Sequence, residues 1–91
     1  ESNMIPLVHL RLAIVNFQLA NYDAALNYAF LLENTEFVDK GIILTGQINE
    51  IQGKDIEICL KQYMRILNDF TFSIYREPIR YHVRTIQKTE S

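Results

Sequence analysis

An internal repeat is the feature that most limits what this chain can fold into. Within residues 1–68, shifting the sequence by 34 positions brings five identical pairs into register. The pairs are Leu10–Leu44, Ile14–Ile48, Gln18–Gln52, Leu26–Leu60 and Asn34–Asn68. The first three pairs are spaced four residues apart, so they would lie along one face of two equivalent helices. Repeats of this length are typical of stacked helical units that cannot bury their apolar faces alone.

Apolar residues recur with helical spacing, and the 91 residues suit one small domain. The sequence therefore predicts an all-α fold of about five helices. Pro6 and Pro78 fit first helical turns, where a missing N–H has little effect. Candidate N-caps are Asn21, Thr35 or Asp39, and Asp55. The predicted helices are 5–20, 22–33, a third that ends near 53, a fourth that follows the cap Asp55 and runs to about 68, and 77–88. Short connections make consecutive helices antiparallel.

The segment from Leu12 to Leu32 resembles one tetratricopeptide repeat. Ala13 and Ala25 fit the small positions of its two helices, and Asn21-Tyr22-Asp23 fits its turn. A weaker copy follows from Gly46 to Ile66, in which Gly46 fits the small position only if the first helix is one residue longer. Neither copy carries the family's terminal proline. The resemblance implies one domain over residues 1–91, with repeats at 5–38 and 39–72 and a capping helix at 73–91, stacked as a fragment of a solenoid.

The resemblance also implies a concave groove lined by the first helix of each repeat. The expected groove residues are Leu10, Arg11, Ile14, Phe17, Gln18, Leu44, Ile48, Ile51 and Gln52. Because this face is mostly apolar, it suits an amphipathic helix or an apolar peptide of another protein. The alternative is that a second copy of the chain, or a neighbouring helix of a longer repeat protein, covers it. Leu10 and Ile14 stand where some members of that family carry a lysine and an asparagine, so the resemblance does not extend to their clamp for a terminal carboxylate.

The predicted last helix carries a basic face, formed by Arg76, Arg80, Arg84 and Lys88. Residues 76–91 hold four basic and two acidic side chains, and the remainder holds five basic and nine acidic. This face could contact an acidic partner or nucleic-acid phosphates. The competing interpretation is a solvent-exposed side of a capping helix. So few charges, without a glycine-rich loop, disfavour nucleic acid.

Catalytic and metal-binding patterns are missing from the sequence. His9 and His82 have no carboxylate or cysteine nearby at ligand spacing, and Cys59 fits a small packing position. No apolar run approaches the ~20 residues that span a bilayer, and the net charge is −2. We therefore expect an intracellular scaffold or adaptor domain, a fragment of a longer protein, with no cofactor, metal, membrane contact or enzymatic activity.

Overall fold

The computed structural model describes residues 4–90 and consists of five α-helices, with no strand in that range. The helices are α1 Met4–Gln18, α2 Tyr22–Phe30, α3 Val38–Ile51, α4 Ile56–Asp69 and α5 Arg76–Glu90. The predicted fold class and number of helices are therefore confirmed. The largest difference from the predicted bounds is at the end of α2, which ends at Phe30 rather than near residue 33.

Four of the expected helix starts are correct. Pro6 and Pro78 lie in the first turns of α1 and α5. Asn21 and Asp55 occupy the N-cap positions of α2 and α4, although neither side chain forms a capping hydrogen bond. Their backbone carbonyls instead accept the first helical bonds, from the N–H groups of Ala25 and Cys59 respectively.

The expected cap of α3 was wrong, because Phe37 occupies that position rather than Thr35 or Asp39. The Thr35 hydroxyl donates to the Leu32 carbonyl at 2.6 Å and accepts the Phe37 N–H at 3.1 Å. It thereby stabilises the turn that ends α2 three residues earlier than predicted. Asn34 in this turn has a φ of 66°, a left-handed conformation that asparagine tolerates.

The helices form two hairpins, α1 with α2 and α3 with α4, and α3 also packs on α1 and α2. Small residues allow the close approaches. Ala13 and Ala25 are fully buried in the first hairpin, and Gly46 and Cys59 are buried in the second. The expected burial of Ala25 and Cys59 at close helix contacts is confirmed. The stack is flat and elongated, with extents of 47 × 29 × 15 Å.

Helix α5 packs on α4 and completes a core shared with the second hairpin. The buried members of this core are Ile42, Tyr63, Ile66, Ile79 and Val83. Ile79 and Val83 lie four residues apart and therefore share one face of α5. Of the basic residues of α5, Arg84 and Lys88 are exposed, whereas Arg76 and Arg80 are half-buried.

Candidate functional site

A groove of about 330 Å³ lies between the first, third and fifth helices. It is lined by Ile14, Lys40, Ile43, Leu44, Gln47, Tyr75, Pro78 and Ile79. Among these, only Lys40, Gln47 and Tyr75 have polar groups in their side chains. The volume is at the small end of ligand pockets and suits a few side chains of a docked segment.

Helix α3 provides half of the lining, because residues 40, 43, 44 and 47 follow the spacing of a single helix face. Leu44 is only 8 % exposed and forms the base of the groove. The wall formed by Tyr75 is fixed to α3 through Ser73. The Ser73 hydroxyl donates to Asp39 Oδ2 at 2.8 Å and accepts the Tyr75 N–H at 3.1 Å.

The two hairpins are related by different sequence offsets in their first and second helices. Ala20 and Gly53 have φ values of 62° and 71°, and they end α1 and α3 with the same pair of backbone hydrogen bonds. These two residues are 33 positions apart, whereas the N-caps Asn21 and Asp55 are 34 apart. The second hairpin has one additional residue, Lys54, between its two helices. The 34-residue offset is therefore correct for α2 and α4 but wrong by one residue for α1 and α3.

Among the candidates on α1, only Ile14 lines the groove. Leu10 is 7 % exposed and belongs to the core of the hairpins. Arg11 and Gln18 are exposed and lie one helical turn before and after Ile14, so they flank the groove along α1. Phe17 is half-buried, and the centroids of its ring and of the Tyr22 ring are 6.0 Å apart.

Because α1 and α3 are related by an offset of 33 rather than 34, not all of the candidates on α3 line the groove. Leu44 lines the groove, but Ile48 is fully buried in the core and is not accessible to a partner. Ile51 is 55 % exposed at the end of α3, one turn beyond Gln47. Gln52 borders a separate shallow depression formed by residues 20–24. The placement of Ile48 and Gln52 in the groove was therefore wrong.

Six groove residues were missed by the sequence interpretation: Lys40, Ile43, Gln47, Tyr75, Pro78 and Ile79. An offset of 33 would have found Ile43 and Gln47, because it pairs them with the candidates Leu10 and Ile14. No local pattern identifies the residues from α5. Their position depends on how α5 packs on α4, which only the folded chain specifies.

The groove is weakly cationic. The Lys40 ammonium lies 5.1 Å from the centroid of the Tyr75 ring, a favourable cation–π arrangement. Lys40 forms no ion pair with any side chain described between residues 4 and 89, and no acidic side chain lines the groove. The groove therefore combines an apolar surface with one positive charge at its edge.

A polar junction connects α3, α4 and α5 beside the groove. The Tyr63 hydroxyl donates to Glu50 Oε2, and His82 Nε2 lies 2.8 Å from the same oxygen. The Tyr63 and His82 rings meet edge to face, with centroids 5.3 Å apart. Burial, together with the hydrogen bond to Glu50 and its charge, raises the pKa of Tyr63 far above its ordinary value. Tyr63 therefore stays protonated and keeps its donor role at any physiological pH.

The predicted basic face is only partly assembled. The Arg76 guanidinium turns toward the end of α4, where Nε donates to the Leu67 carbonyl at 3.4 Å. Both Arg76 and Arg80 also pair with Glu77, at 3.5 and 3.4 Å. Arg84 and Lys88 lie on the exposed side of α5 next to Tyr81. The four residues consequently do not form a single uncompensated cationic surface.

The residues considered for catalysis are dispersed. His9 stacks near Tyr28, with ring centroids 6.1 Å apart, and His82 belongs to the junction with Glu50. Cys59 is buried, and burial together with the charge of Glu50 raises the pKa of its thiol, which makes it a poor nucleophile. Among the side chains described, those of residues 4–89, no group of three or more His, Cys, Asp or Glu is arranged to hold a metal ion.

None of the described helices has the length and apolar character needed to cross a membrane. No family model, curated protein or solved structure matches the chain. The resemblance to tetratricopeptide repeats therefore stays a prediction made from the residues of this chain.

Proposed function

We propose that this chain is a tetratricopeptide-like interaction module, a scaffold or adaptor whose groove binds a helix or peptide of another protein. The observation that carries the proposal is the apolar groove between α1, α3 and the start of α5. Three helices belonging to successive units contribute to it, as first helices do in stacked repeats. Apolar grooves of this kind receive the side chains of amphipathic helices spaced three and four residues apart.

The chemistry of the lining specifies the partner further. Ile14, Ile43 and Ile79 provide aliphatic surface for large apolar anchor side chains. Lys40 is the only charged residue of the lining and has no ion pair among the described residues. The proposed partner segment is therefore amphipathic, with aliphatic anchors followed or preceded by an aspartate or glutamate that reaches Lys40.

This proposal contains no catalytic role, because no His, Cys, Ser, Asp or Glu side chain lines the groove. We place the module inside the cell, since its single thiol, at Cys59, suits a reducing compartment. Nucleic-acid binding by α5 is the less supported alternative. Two of its four basic residues, Arg76 and Arg80, are already paired with Glu77.

Selection from a displayed library of random 16-residue peptides tests the proposal and does not require the natural partner. Peptides enriched on the wild-type chain should carry aliphatic residues at helical spacing and at least one acidic residue. Fluorescence anisotropy then measures the affinity of one labelled, enriched peptide for each variant. We expect Ile14→Asp and Ile43→Asp to weaken binding by roughly tenfold or more, since each loses an apolar contact and repels the acidic residue.

Val8→Asp is the matched control, because Val8 is an exposed aliphatic residue of α1 outside the groove. It should bind the peptide like the wild type. Lys40→Glu should shift the selection toward peptides with basic residues. Failure to enrich any peptide, or equal loss of affinity in the Val8 and Ile14 variants, would contradict the proposed groove.

A further inference from the structure

Helix α1 carries a second apolar face that the chain's own hairpins leave open. This stripe consists of Ile5, Val8, Leu12, Val15 and Leu19. Four of its members are 47–65 % exposed, and Leu12 is half-buried. We propose that the stripe pairs with the same stripe of a second copy, so that two molecules associate through their first helices.

The spacing within the stripe is that of a helix-pairing seam. Its residues follow one another at intervals of three, four, three and four, which places them at the a and d positions of two heptads. Polar residues border both sides, His9 and Asn16 on one and Arg11 and Gln18 on the other. The opposite side of the helix buries Leu10 and Ala13 against the chain's own hairpins.

The face of α3 that corresponds to the stripe on α1 is covered by another helix. The offset that relates Ala20 to Gly53 places the stripe on Val38, Gly41, Thr45 and Ile48 of α3. There the face packs on the first hairpin: a Cβ added to Gly41 would lie 2.9 Å from the Ala29 carbonyl oxygen, and Ile48 is fully buried. A helix therefore covers this face in the second unit. In the first unit the same face is more apolar and has no helix against it among the described residues.

Whether a second copy would bind head to tail or by two-fold pairing depends on the side chains at the opposite end of the stack. The exposed side of α5 carries Tyr81, Arg84, Thr85 and Lys88. Head-to-tail stacking would place the charged side chains of Arg84 and Lys88 on the apolar stripe, whereas two-fold pairing places apolar side chains on each other. Repulsion between copies is small, because Arg11 is the only residue of α1 with a permanent charge and the whole chain carries −2.

The size of the stripe limits the strength of the association. Fifteen residues make a helix about 22 Å long, so the buried area is at the low end of stable protein interfaces. We therefore expect a reversible dimer that is populated at tens to hundreds of micromolar, on the order of weak complexes. On α1, Arg11 and Gln18 separate the stripe from the groove residue Ile14, so variants of the two surfaces can be tested separately.

Sedimentation velocity of the 91-residue chain, from about 10 μM to about 1 mM, tests the proposal. The wild type should change from monomer to dimer with concentration. Val8→Asp combined with Val15→Asp should stay monomeric, with the dissociation constant raised roughly tenfold or more. Ile58→Asp is the matched control, because Ile58 is 46 % exposed on α4 and lies outside the stripe. It should dimerise like the wild type.

A second measurement uses the wild type alone and does not depend on the stability of a variant. Amide resonances compared at low and high concentration should shift mainly in residues 5–19. A wild type that is monomeric at about 1 mM, a double variant that still dimerises, or shifts concentrated in α4 or α5 would each overturn the proposal.

Discussion

Gly46 lies directly against the ring of Tyr63, so closely that a Cβ on residue 46 would be 2.5 Å from Tyr63 Cε1. The ring is fully buried, its hydroxyl is bound to Glu50 and its edge meets His82. Tyr63 therefore has no room to move away. The absence of a side chain at residue 46 is what allows α3 and α4 to approach at this point.

Gly46→Ala should consequently destabilise the fold. Alanine favours a helix over glycine by about 1 kcal/mol, but overpacking a fixed core residue costs about 1–3 kcal/mol. We expect the midpoint of urea unfolding, followed by circular dichroism, to fall. Gln47→Ala is the control, because Gln47 is the exposed neighbour on the same helix, and it should leave the midpoint nearly unchanged. A midpoint raised by Gly46→Ala would mean that the ring does not lie where the structure places it.

Removing the hydroxyl of Tyr63 should also be destabilising. In Tyr63→Phe the ring and its packing remain, but Glu50 loses a charge-assisted hydrogen bond in a half-buried position. Bonds of this kind contribute about 1.5–3 kcal/mol. Chemical unfolding of Tyr63→Phe, of Glu50→Gln and of the double variant forms a mutant cycle. If the two single effects simply add, the hydroxyl and the carboxylate do not interact as the structure shows.

The ion pair between Glu33 and Arg65 should make stability depend on acid pH. Two hydrogen bonds of 2.9 and 3.1 Å from Arg65 are the main cause that lowers the pKa of Glu33 below its ordinary value of 4.5, and burial opposes them. A carboxyl whose pKa is lower in the folded state stabilises the fold above its unfolded pKa. That contribution is lost as the pH falls below 4.5 through the folded value.

Glu33→Gln should therefore be less stable than the wild type at neutral pH and converge with it in acid. The difference stays below about 1 kcal/mol, because both side chains are about one-third exposed and solvent screens the pair. Thermal unfolding between neutral and strongly acid pH measures it. Glu36→Gln removes the same charge from an exposed site in the same loop and should not show the convergence. A gap that widens in acid would contradict a lowered pKa of Glu33 in the folded state.

Most of the fold could be predicted from local patterns. The helix starts predicted from Pro6, Asn21 and Asp55 were correct, because these residues act on the backbone within a few positions. The turn at residues 31–37 was misjudged because the Thr35 hydroxyl bonds inside the turn rather than capping α3. Side-chain hydrogen bonds of this kind compete with capping and leave no distinct signal in the sequence.

The groove was predicted less well, for a different physical reason. The 34-residue offset is correct for α2 and α4, but Lys54 adds one residue to the turn before α4. On a helix, an error of one position rotates the assigned face by about 100°, since 3.6 residues make a turn. Because of this rotation, the sequence analysis assigned the core residue Ile48 to the groove and did not assign Ile43 and Gln47 to it.

The two isoleucines paired by the 34-residue offset should therefore respond very differently to the same substitution. Ile48 is fully buried, whereas Ile14 is half-buried at the edge of the groove. Ile48→Asp would place an unpaired charge in the core, at a loss of about 3–5 kcal/mol, a large part of the stability of a small domain. Ile14→Asp keeps its carboxylate in contact with water and should lose about 1 kcal/mol. Thermal unfolding by circular dichroism compares them, with Ile14→Val and Ile48→Val as volume controls. Similar unfolding temperatures for both aspartate variants would mean that Ile14 and Ile48 are equivalent positions of α1 and α3 after all.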